Sequence, residues 1–516
     1  MMRLRIHAKG QIARVAGWPG IVAILGVVGC DGNKPAPPPA RPFAGTKLVV
    51  GVVGEPALLK TVGTQRGEWI AQTGAELVFR DGTVDPKSVG GVDVLVFPGD
   101  RIGDLVDAKA LAVLPDALTN PPTPPSGEDA PAEKATPADP FAFKDIAVAY
   151  REQVTKYGPD RVALPIGGSA LVMAYRRSAF DLPANREAAQ AAGLTLEPPK
   201  TWDQFDALAR FFHGRDWAGD GQARSGLALA WGPDAGGVGD SIFLARSAAL
   251  GLHRDQFSFL LDSETTAPRV ASPPFVEALR ALVALKGSGP PGAETFDAQA
   301  ARAAFRSGEA ALLIDLAQRA DTWGAEGTAV GVAPLPGSKR VYDPSRQAWE
   351  DASPPNRPVY LPTGGGWLVG VAASTAHRGA AEGFARYLAG ADSTNRLRAE
   401  REFPMLAVRA TQLAQGMANP RSAPGVEPRP WADAVSRTLA ADRVAPGLRI
   451  PDAAGYLADL AKARVAAVGG EPAESALDGL SRAWSQRTQA LGLARQTWHH
   501  RRSLTGLTTP PEPPAR

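Results

Sequence analysis

The segment KLVVGVVG, residues 47–54, is a continuous apolar run of strand length. Such a run is typical of a strand that is buried on both faces, as in a parallel sheet covered by helices. A helical pattern follows and ends at Gly74, where a glycine can stop a helix. The runs AELVFR (75–80) and VDVLVF (92–97) predict two more strands, and residues 101–110 predict another helix. This order predicts an α/β fold that begins as a parallel, doubly wound sheet.

The only cysteine, Cys30, follows a short apolar segment at about residues 18–28. That segment is too short to span a bilayer, which needs about 20 apolar residues. A basic start before it makes the N-terminus typical of a secretion signal. Val27–Cys30 resembles a bacterial lipobox, in which the cysteine is lipidated and begins the mature protein. We therefore predict a lipoprotein signal peptide over residues 1–29, while an ordinary signal peptide with an incidental cysteine is the alternative.

A proline-rich segment follows the cysteine. Residues 34–42 favour an extended polyproline II conformation, which rises about 3.1 Å per residue. We predict that residues 30–46 are a lipidated anchor and tether that hold the protein at a membrane surface. A single cysteine also excludes an internal disulfide framework, a four-cysteine zinc site and an iron–sulfur cluster.

The remaining chain is long enough for two substantial lobes. The formal net charge of +3 gives no reason to expect nucleic acid as a partner, and no later segment is apolar enough to be a second membrane span. The six histidines are scattered apart from one pair, and we predict no metal and no cofactor. Residues 119–140 and about 341–358 are predicted to be irregular inserts, and residues 496–516 a disordered tail.

Several segments, in order, resemble the extracellular solute-binding proteins of bacterial ABC importers, in the class that is similar to maltose-binding protein. They are VDVLVFPGDRIGDLVDAKALAVLPDAL (92–118), DRVALPIGGSALVMAYRRSAFD (160–181), LTLEPPKTWDQFDALARFF (194–212), AFRSGEAALLIDLAQRA (304–320), VGVAPLPG (330–337), LPTGGGWLVGVAASTAHRGAAEGFARYLAG (361–390) and LRIPDAAGYLADL (448–460). The similarity extends over nearly all of residues 47–492.

The resemblance implies a two-lobed periplasmic binding protein fold (type II) with three interlobe crossings. It divides the chain into an N-terminal lobe of residues 47–166 plus 334–373 and a C-terminal lobe of residues 167–333 plus 374–495. It implies a binding protein and not an enzyme, in the cell envelope facing the periplasm or exterior. Its partners would be a small solute, most readily a mono- or oligosaccharide, and an ABC permease; we expect a monomer.

The resemblance also implies site residues. Asp100 and Arg101 occupy the position of an Asp-Arg pair that contacts sugar hydroxyls in the family, just after a predicted strand, where open α/β sheets bind ligands. Glu55 matches an acidic ligand position after the first strand. Ser169 replaces a family glutamate and Gln318 replaces a stacking tryptophan, so both depart from the family pattern.

Other candidates come from side-chain chemistry. A tryptophan face suits the apolar face of a pyranose, which makes the indole rings candidates. Asp315 offers a carboxylate to hydroxyl or amine groups. Gly364, Gly365 and Gly366 let backbone approach closely, because glycine has no Cβ. The predicted set beyond the preceding five is Trp231, Asp315, Gly365, Gly366, Trp367 and Trp431.

Two other functions are considered. A binding protein of this type can present its ligand to a membrane sensor instead of a permease, and nothing in the sequence separates the two. GDSI (239–242) is similar to the nucleophile block of GDSL hydrolases, but none of the histidines has an aspartate three residues before it, as that family requires.

DWAGDGQARSGL (216–227) is similar to a calcium loop but has Ala218 and Leu227 where oxygen ligands are needed, so we predict a simple turn.

Overall fold

A computed structural model of the chain describes residues 41–119, 139, 141–233, 237–256, 258–400, 403, 405–414, 423–504, 507 and 511–513. The predicted signal peptide, Cys30 and most of the tether lie outside the described residues, as does nearly all of the 119–140 insert. The predictions for these segments therefore stay predictions.

The strands are β1 (Lys47–Val52), β2 (Glu76–Thr83), β3 (Val94–Pro98), β4 (Lys156–Tyr157), β5 (Asp160–Arg161), β6 (Leu164–Gly168), β7 (Leu171–Arg176), β8 (Ser225–Ala228), β9 (Ala310–Leu316), β10 (Val330–Pro334), β11 (Ser338–Asp343), β12 (Ala348–Asn356), β13 (Val359–Tyr360), β14 (Gly366–Val371) and β15 (Val444–Ala445). The α-helices are α1 (Ala57–Gly63), α2 (Arg66–Thr73), α3 (Ile102–Asp107), α4 (Arg177–Asp181), α5 (Pro183–Ala191), α6 (Trp202–Phe212), α7 (Val238–Gly251), α8 (Pro273–Ala284), α9 (Ala298–Ser307), α10 (Arg378–Leu388), α11 (Ala391–Ala399), α12 (Ala410–Ala414), α13 (Pro428–Leu439), α14 (Ala453–Val468), α15 (Ala473–Leu491) and α16 (Leu493–Ser503). Short 3-10 segments that bear on the site are Gly99–Arg101, Ala317–Thr322 and Thr363–Gly365, and a π-helical turn covers Tyr150–Val154.

The first sheet has the strand order β2-β1-β3-β14-β6. Strand β1 pairs in parallel with β2 and with β3, with Lys47 opposite Glu76 and Val50 opposite Val94. Strand β14 inserts antiparallel between β3 and β6. The prediction of a parallel beginning from residue 47 is confirmed.

The second sheet has the order β10-β7-β9-β8, in which only the β8–β9 pair is parallel. Helix α6 is held beside it by a capping box, in which the Thr201 hydroxyl accepts from the Gln204 amide and the Gln204 side chain accepts from the Thr201 amide. One continuous hydrophobic core surrounds the first sheet and extends over the face of the second sheet that α9 and α13 cover, and a second core fills the space between the other face of the second sheet and helices α6–α8, α14 and α15. Each sheet with its packed helices is a lobe. No helix in the described ranges is long and apolar enough to cross a membrane.

The chain passes between the lobes at three places. It leaves the first sheet after β6 (residues 169–170) and re-enters that sheet only at β14, because β11 and β13 pack against α7 of the second lobe. The predicted boundary at residue 374 is wrong, because α10 and α11 pack on the first sheet, where Phe384 and Leu388 join the first core. The third crossing falls between α11 and α13, which packs on β10. The amphipathic sequence pattern of a helix predicts that the helix packs on a sheet, but it does not identify which sheet.

The segment predicted as an irregular insert at 341–358 is a β-hairpin. Strands β11 and β12 pair antiparallel, with Val341 opposite Glu350 and Tyr342 opposite Trp349, and the hairpin packs against α7 and α8. Most side chains of this hairpin are at least partly exposed, so its strands lack the apolar run or alternation by which a strand is predicted. Its prolines and acidic residues instead indicated a loop.

The prediction of a disordered tail from residue 496 is also wrong for residues 496–504. Helix α16 continues to Ser503, and both His499 and His500 are buried. His499 Nδ1 lies 2.9 Å from the Tyr157 hydroxyl, and its Nε2 lies 2.8 Å from Asp107 Oδ1. The basic composition of this helix indicated a solvated end, but its histidines face other side chains.

His500 predicts a pH dependence of stability. Its Nε2 lies 2.9 Å from Ser258 Oγ, and burial lowers its pKa to about 4. Between the unfolded pKa of about 6.5 and the folded value, the unfolded chain binds a proton that the folded chain excludes, so stability falls as the pH falls through that window. We expect this group to remove about 2 kcal/mol from the free energy of unfolding between about pH 7 and about pH 5.

The matched variant is His500→Gln, which keeps an N–H donor but does not titrate. Urea denaturation of both proteins at the two pH values measures the difference. Equal losses of stability in the parent and in the variant would show that the His500 pKa is not depressed.

Candidate ligand-binding site

Asp100 and Arg101 lie immediately after β3, in the 3-10 turn Gly99–Arg101 at the carboxyl end of the first sheet. Arg101 Nη1 lies 3.4 Å from Asp104 Oδ2, and Asp104 Oδ1 accepts the backbone N–H of Asp452 at 2.7 Å. This places the pair where the sequence predicted it and links it to the start of α14. The guanidinium is about one third exposed and can donate to a ligand.

The ionised Asp100 carboxylate is in an unfavourable environment, because it is buried and incompletely hydrogen-bonded. Its Oδ1 is buried and has no hydrogen-bond partner among the described residues. Burial raises its pKa to about 6, because the loss of hydration outweighs the nearby charge of Arg101. Buried polar atoms are normally paired, so an acceptor left open at a strand end indicates a place for an external donor.

Gly364 and Gly366 pack against protein backbone, and Gly365 packs against the Val154 side chain. A Cβ on Gly364 would lie 2.1 Å from the Asp100 nitrogen, and a Cβ on Gly366 would lie 2.4 Å from the Gly167 oxygen. All three glycines have positive φ. The close approach inferred from the sequence is therefore present, but what approaches Gly364 and Gly366 is the Asp100 turn and strand β6. Direct ligand contact by Gly365 and Gly366 stays a prediction.

Ser169 and Gln318, the two departures from the family pattern, are in contact. Gln318 Nε2 donates to Ser169 Oγ at 3.0 Å, and the Ser169 amide donates to the Gly365 carbonyl at 3.2 Å. Ser169 lies in the two-residue connection between β6 and β7, and Gln318 follows β9. Side chains from both lobes therefore meet beside the Asp100 turn.

Tyr150 is a site residue that the sequence did not reveal. Its hydroxyl is buried without a hydrogen-bond partner among the described residues, and a Cβ on Gly168 would lie 2.3 Å from it. Burial raises its pKa, so it stays a neutral donor. No motif marks it, because only the fold brings the π-helical turn beside the crossing. Asp100, Arg101, Tyr150, Ser169 and Gln318 are called the junction cluster below.

The predicted tryptophans have different surroundings. Trp431 is 1% exposed, and its Nε1 donates to Ala317 at 3.0 Å, directly beside Gln318. Trp367 is half-buried opposite Pro98 and packs edge-on against Phe403 at 4.4 Å between ring centroids. Trp231 lies in the second core, with its carbonyl held by Arg464 and its Nε1 buried without a partner among the described residues. Stacking on a ligand stays a prediction for all three.

The two remaining carboxylates differ. Glu55 is half-buried in the loop after β1, and a Cβ on the adjacent Gly54 would lie 3.7 Å from Arg101 Nε, so this loop borders the junction cluster. Asp315 has both oxygens occupied by Arg302, at 2.6 and 2.9 Å, and also accepts from Trp323 at 2.8 Å. These contacts give Asp315 a role inside the second lobe and do not support the prediction that it binds ligand.

A groove of about 480 Å³ lies elsewhere, lined by residues 334–336, 351–360 and 437–443. None of the predicted site residues lines it. Tyr360 connects the two regions, because it lines the groove while its pKa is raised by burial and by the carboxylates of Asp240 and Asp100. The groove lies among the end of β10, the hairpin β11–β12, β13 and the end of α13, which pack with the second lobe.

The segments that are similar to a GDSL nucleophile block (239–242) and to a calcium loop (216–227) have side chains bonded within the protein. Asp240 of GDSI accepts from Arg464 at 2.6 Å, with both side chains 1% exposed, and Ser241 is buried within α7. Asp216 accepts the amides of Gly219, Asp220 and Gly221, so residues 216–227 contain an aspartate-stabilised turn, as predicted.

Comparisons with known proteins agree with this architecture. Residues 70–395 match the family model described as bacterial extracellular solute-binding protein. Among solved structures, an ABC transporter solute-binding protein of Agrobacterium radiobacter K84 in complex with ribitol is 18% identical, covering 87% of this chain and 100% of that chain with a TM-score of 0.59. Its counterpart from Agrobacterium vitis S4, with bound D-mannitol, is 17% identical over 87% and 99% of the two chains, with a TM-score of 0.58. Maltose-bound T. maritima MalE3 is 16% identical over 86% and 100%, with a TM-score of 0.56. No curated protein sequence matches.

The strained carboxylate predicts that Asp100→Asn stabilises the ligand-free protein. Because the folded pKa is raised, ionised Asp100 costs stability as the pH rises through about 6, and a neutral amide avoids this cost. We expect a gain of about 1–3 kcal/mol in the free energy of unfolding at about pH 7, shrinking as the pH approaches about 4. Urea denaturation measures it.

The control is Asp203→Asn, an exposed carboxylate in the first turn of α6. It should change stability little. A loss of stability in Asp100→Asn at neutral pH would contradict the account of Asp100.

Proposed function

The chain belongs to the family of bacterial extracellular solute-binding proteins, and we propose that it captures a polyhydroxylated solute between its two lobes and delivers it to an ABC importer. The solute class is a mono- or oligosaccharide or the corresponding sugar alcohol. The structural neighbours named above are described with ribitol, D-mannitol and maltose, which supports this class. The chain acts as a binding protein and needs no catalytic group for this role.

The observation that carries the proposal is the junction cluster. The glycine turn packs on Asp100 through Gly364 and bonds to Ser169 through Gly365, and Ser169 accepts from Gln318 at the crossing into the second lobe. A hydroxyl both donates and accepts. Asp100 Oδ1 is an open acceptor, while the Tyr150 hydroxyl and the Arg101 guanidinium are donors. Such a mixed set matches a ligand with several hydroxyl groups better than a simple anion or cation.

The contact between Gln318 and Ser169 gives the proposal a mechanism. Their side chains bond to each other at 3.0 Å, next to the backbone bond that joins Ser169 to Gly365. Opening the lobes separates the surfaces around this contact and hydrates Asp100, which favours the open state without ligand. A solute that pairs Asp100 in the closed state reverses this preference, which is how hinged proteins clamp ligands.

Aromatic side chains would complete the site. Trp431 lies beside Ala317, and Trp367 lies opposite the end of β3. Either ring can cover the apolar face of a sugar once the lobes open, and buried aromatic area contributes strongly to such contacts. We further propose that Cys30 is lipidated, so that the protein works at the outer face of a membrane.

Binding is tested with a panel of ribitol, D-mannitol, maltose, maltotetraose and glucose, by thermal shift and then by calorimetry. For the probe that binds, Asp100→Asn should weaken binding by roughly 5- to 150-fold, because the loss of a charged acceptor costs about 1–3 kcal/mol. Asp203→Asn should leave the affinity unchanged. Failure of every probe to bind would contradict the proposed solute class.

Lipidation is tested by Cys30→Ser. We expect the variant to remain unprocessed or to be released from membranes when cells are fractionated, because the modified thiol is absent. The parent chain should take up a labelled fatty acid. Equal membrane partitioning of the two proteins would contradict the anchor while leaving the binding site unaffected.

A further inference from the structure

A second cluster of side chains lies away from the junction, at the hairpin β11–β12. His253 follows α7, Asp343 ends β11 and Glu350 lies on β12. Each offers one ligand atom, and these atoms all lie within 4.8 Å of one another. His253 is 2% exposed and Asp343 8% exposed. We propose that His253, Asp343 and Glu350 form a zinc-binding site that clips the hairpin to the end of α7.

The distances suit a tetrahedral ion with little movement. His253 Nε2 lies 3.2 Å from Glu350 Oε2. Zinc bound at about 2.0–2.1 Å by nitrogen and oxygen separates neighbouring ligands by about 3.3 Å. The Asp343 oxygen lies within 4.8 Å of both atoms, so it would move closer by up to about 1.5 Å to complete three protein ligands, and water would supply the fourth. One imidazole with two carboxylates favours zinc over calcium or magnesium, which prefer oxygen ligands alone.

The second ring nitrogen of His253 has a carboxylate beside it. Nδ1 lies 3.6 Å from Asp255 Oδ2 and accepts the Asp255 amide at 3.3 Å. In the metal-free chain Nε2 therefore carries the proton and donates to Glu350. When zinc takes the Nε2 lone pair, the Nε2 proton leaves and Nδ1 becomes the protonated nitrogen. The bond from the Asp255 amide to Nδ1 is then lost, and the exposed Asp255 carboxylate, 3.6 Å away, can move closer to accept the Nδ1 proton, as carboxylates commonly do beside zinc-bound histidines.

Two arginines currently neutralise the carboxylates. Arg346 Nη1 lies 2.7 Å from Glu350 Oε1, and Arg254 Nη2 lies 3.6 Å from Glu350 Oε2. Their side chains are 73% and 69% exposed, so both can turn into water when a dication enters. The amides of Ser345 and Arg346 donate to Asp343 Oδ1, at 2.8 and 3.4 Å, so Oδ2 is the oxygen that Asp343 can offer to an ion.

The position of the cluster suggests what the ion does. The ligands come from the end of the α7 region and from both strands of the hairpin, so zinc would fix the hairpin to the second lobe. Residues 351–356 of the same hairpin line the groove of about 480 Å³, together with His253 and Arg254. Zinc would therefore hold one wall of that groove in place. This inference does not depend on the proposed solute.

The test uses the full chain without a polyhistidine tag, treated with a chelator and titrated with Zn²⁺ against a chromophoric indicator. We expect one equivalent to bind, and His253→Asn and Glu350→Gln each to weaken binding by about tenfold or more. Zinc should also slow hydrogen exchange of the amides in residues 338–356. Circular dichroism checks that each variant folds, and Glu350→Gln decides if His253→Asn does not.

The matched control is His213→Asn, an exposed histidine at the end of α6. It should bind zinc as the parent does. Absence of stoichiometric binding, or equal affinity in Glu350→Gln and the parent, would overturn the proposal. Zinc binding without slower exchange in the hairpin would overturn the clip.

Discussion

The two-residue connection between β6 and β7 holds the site together. Its backbone is bonded from both sides: the Ser169 amide donates to Gly365 at 3.2 Å, and the Ala170 carbonyl accepts from Ala317 at 2.8 Å. The first partner precedes β14 of the first sheet and the second follows β9 of the second sheet. Because Gln318 is the next residue after Ala317, this short connection fixes both the lobes and the side chains that meet between them.

Asp100 shows what this arrangement costs. A carboxylate placed at the end of β3 and covered by the glycine turn loses hydration and gains no partner at Oδ1 from the part of the chain that the structure describes. Functional sites commonly retain such unfavourable groups, since a ligand that satisfies them recovers the lost free energy on binding. The same residue therefore lowers the stability of the ligand-free protein and, in the proposed function, is the group that a bound solute would satisfy.

The sequence predicted the parallel strands β1, β2 and β3, because buried parallel strands are continuous apolar runs, and the family resemblance predicted the two lobes. The hydrogen bonds that join Ser169 to Gly365 and Gln318 were not predicted, because those residues were expected to contact ligand. It did not predict that α10 and α11 cover the first sheet, since amphipathicity does not identify the partner surface. Tyr150 and His499 were missed because their environments come from distant parts of the chain: Gly168 approaches Tyr150, and Tyr157 and Asp107 bond to His499. The hairpin was hidden by its exposed, proline-rich strands.

Hydrogen exchange of the ligand-bound protein tests the central claim most directly, using whichever sugar or sugar alcohol binds. The account predicts that ligand slows exchange together at residues 99–101, 168–169, 318 and 364–366, which belong to both lobes and meet at the junction cluster. Protection confined to one lobe, or found along residues 351–360 and 437–443 of the open groove instead, would contradict it.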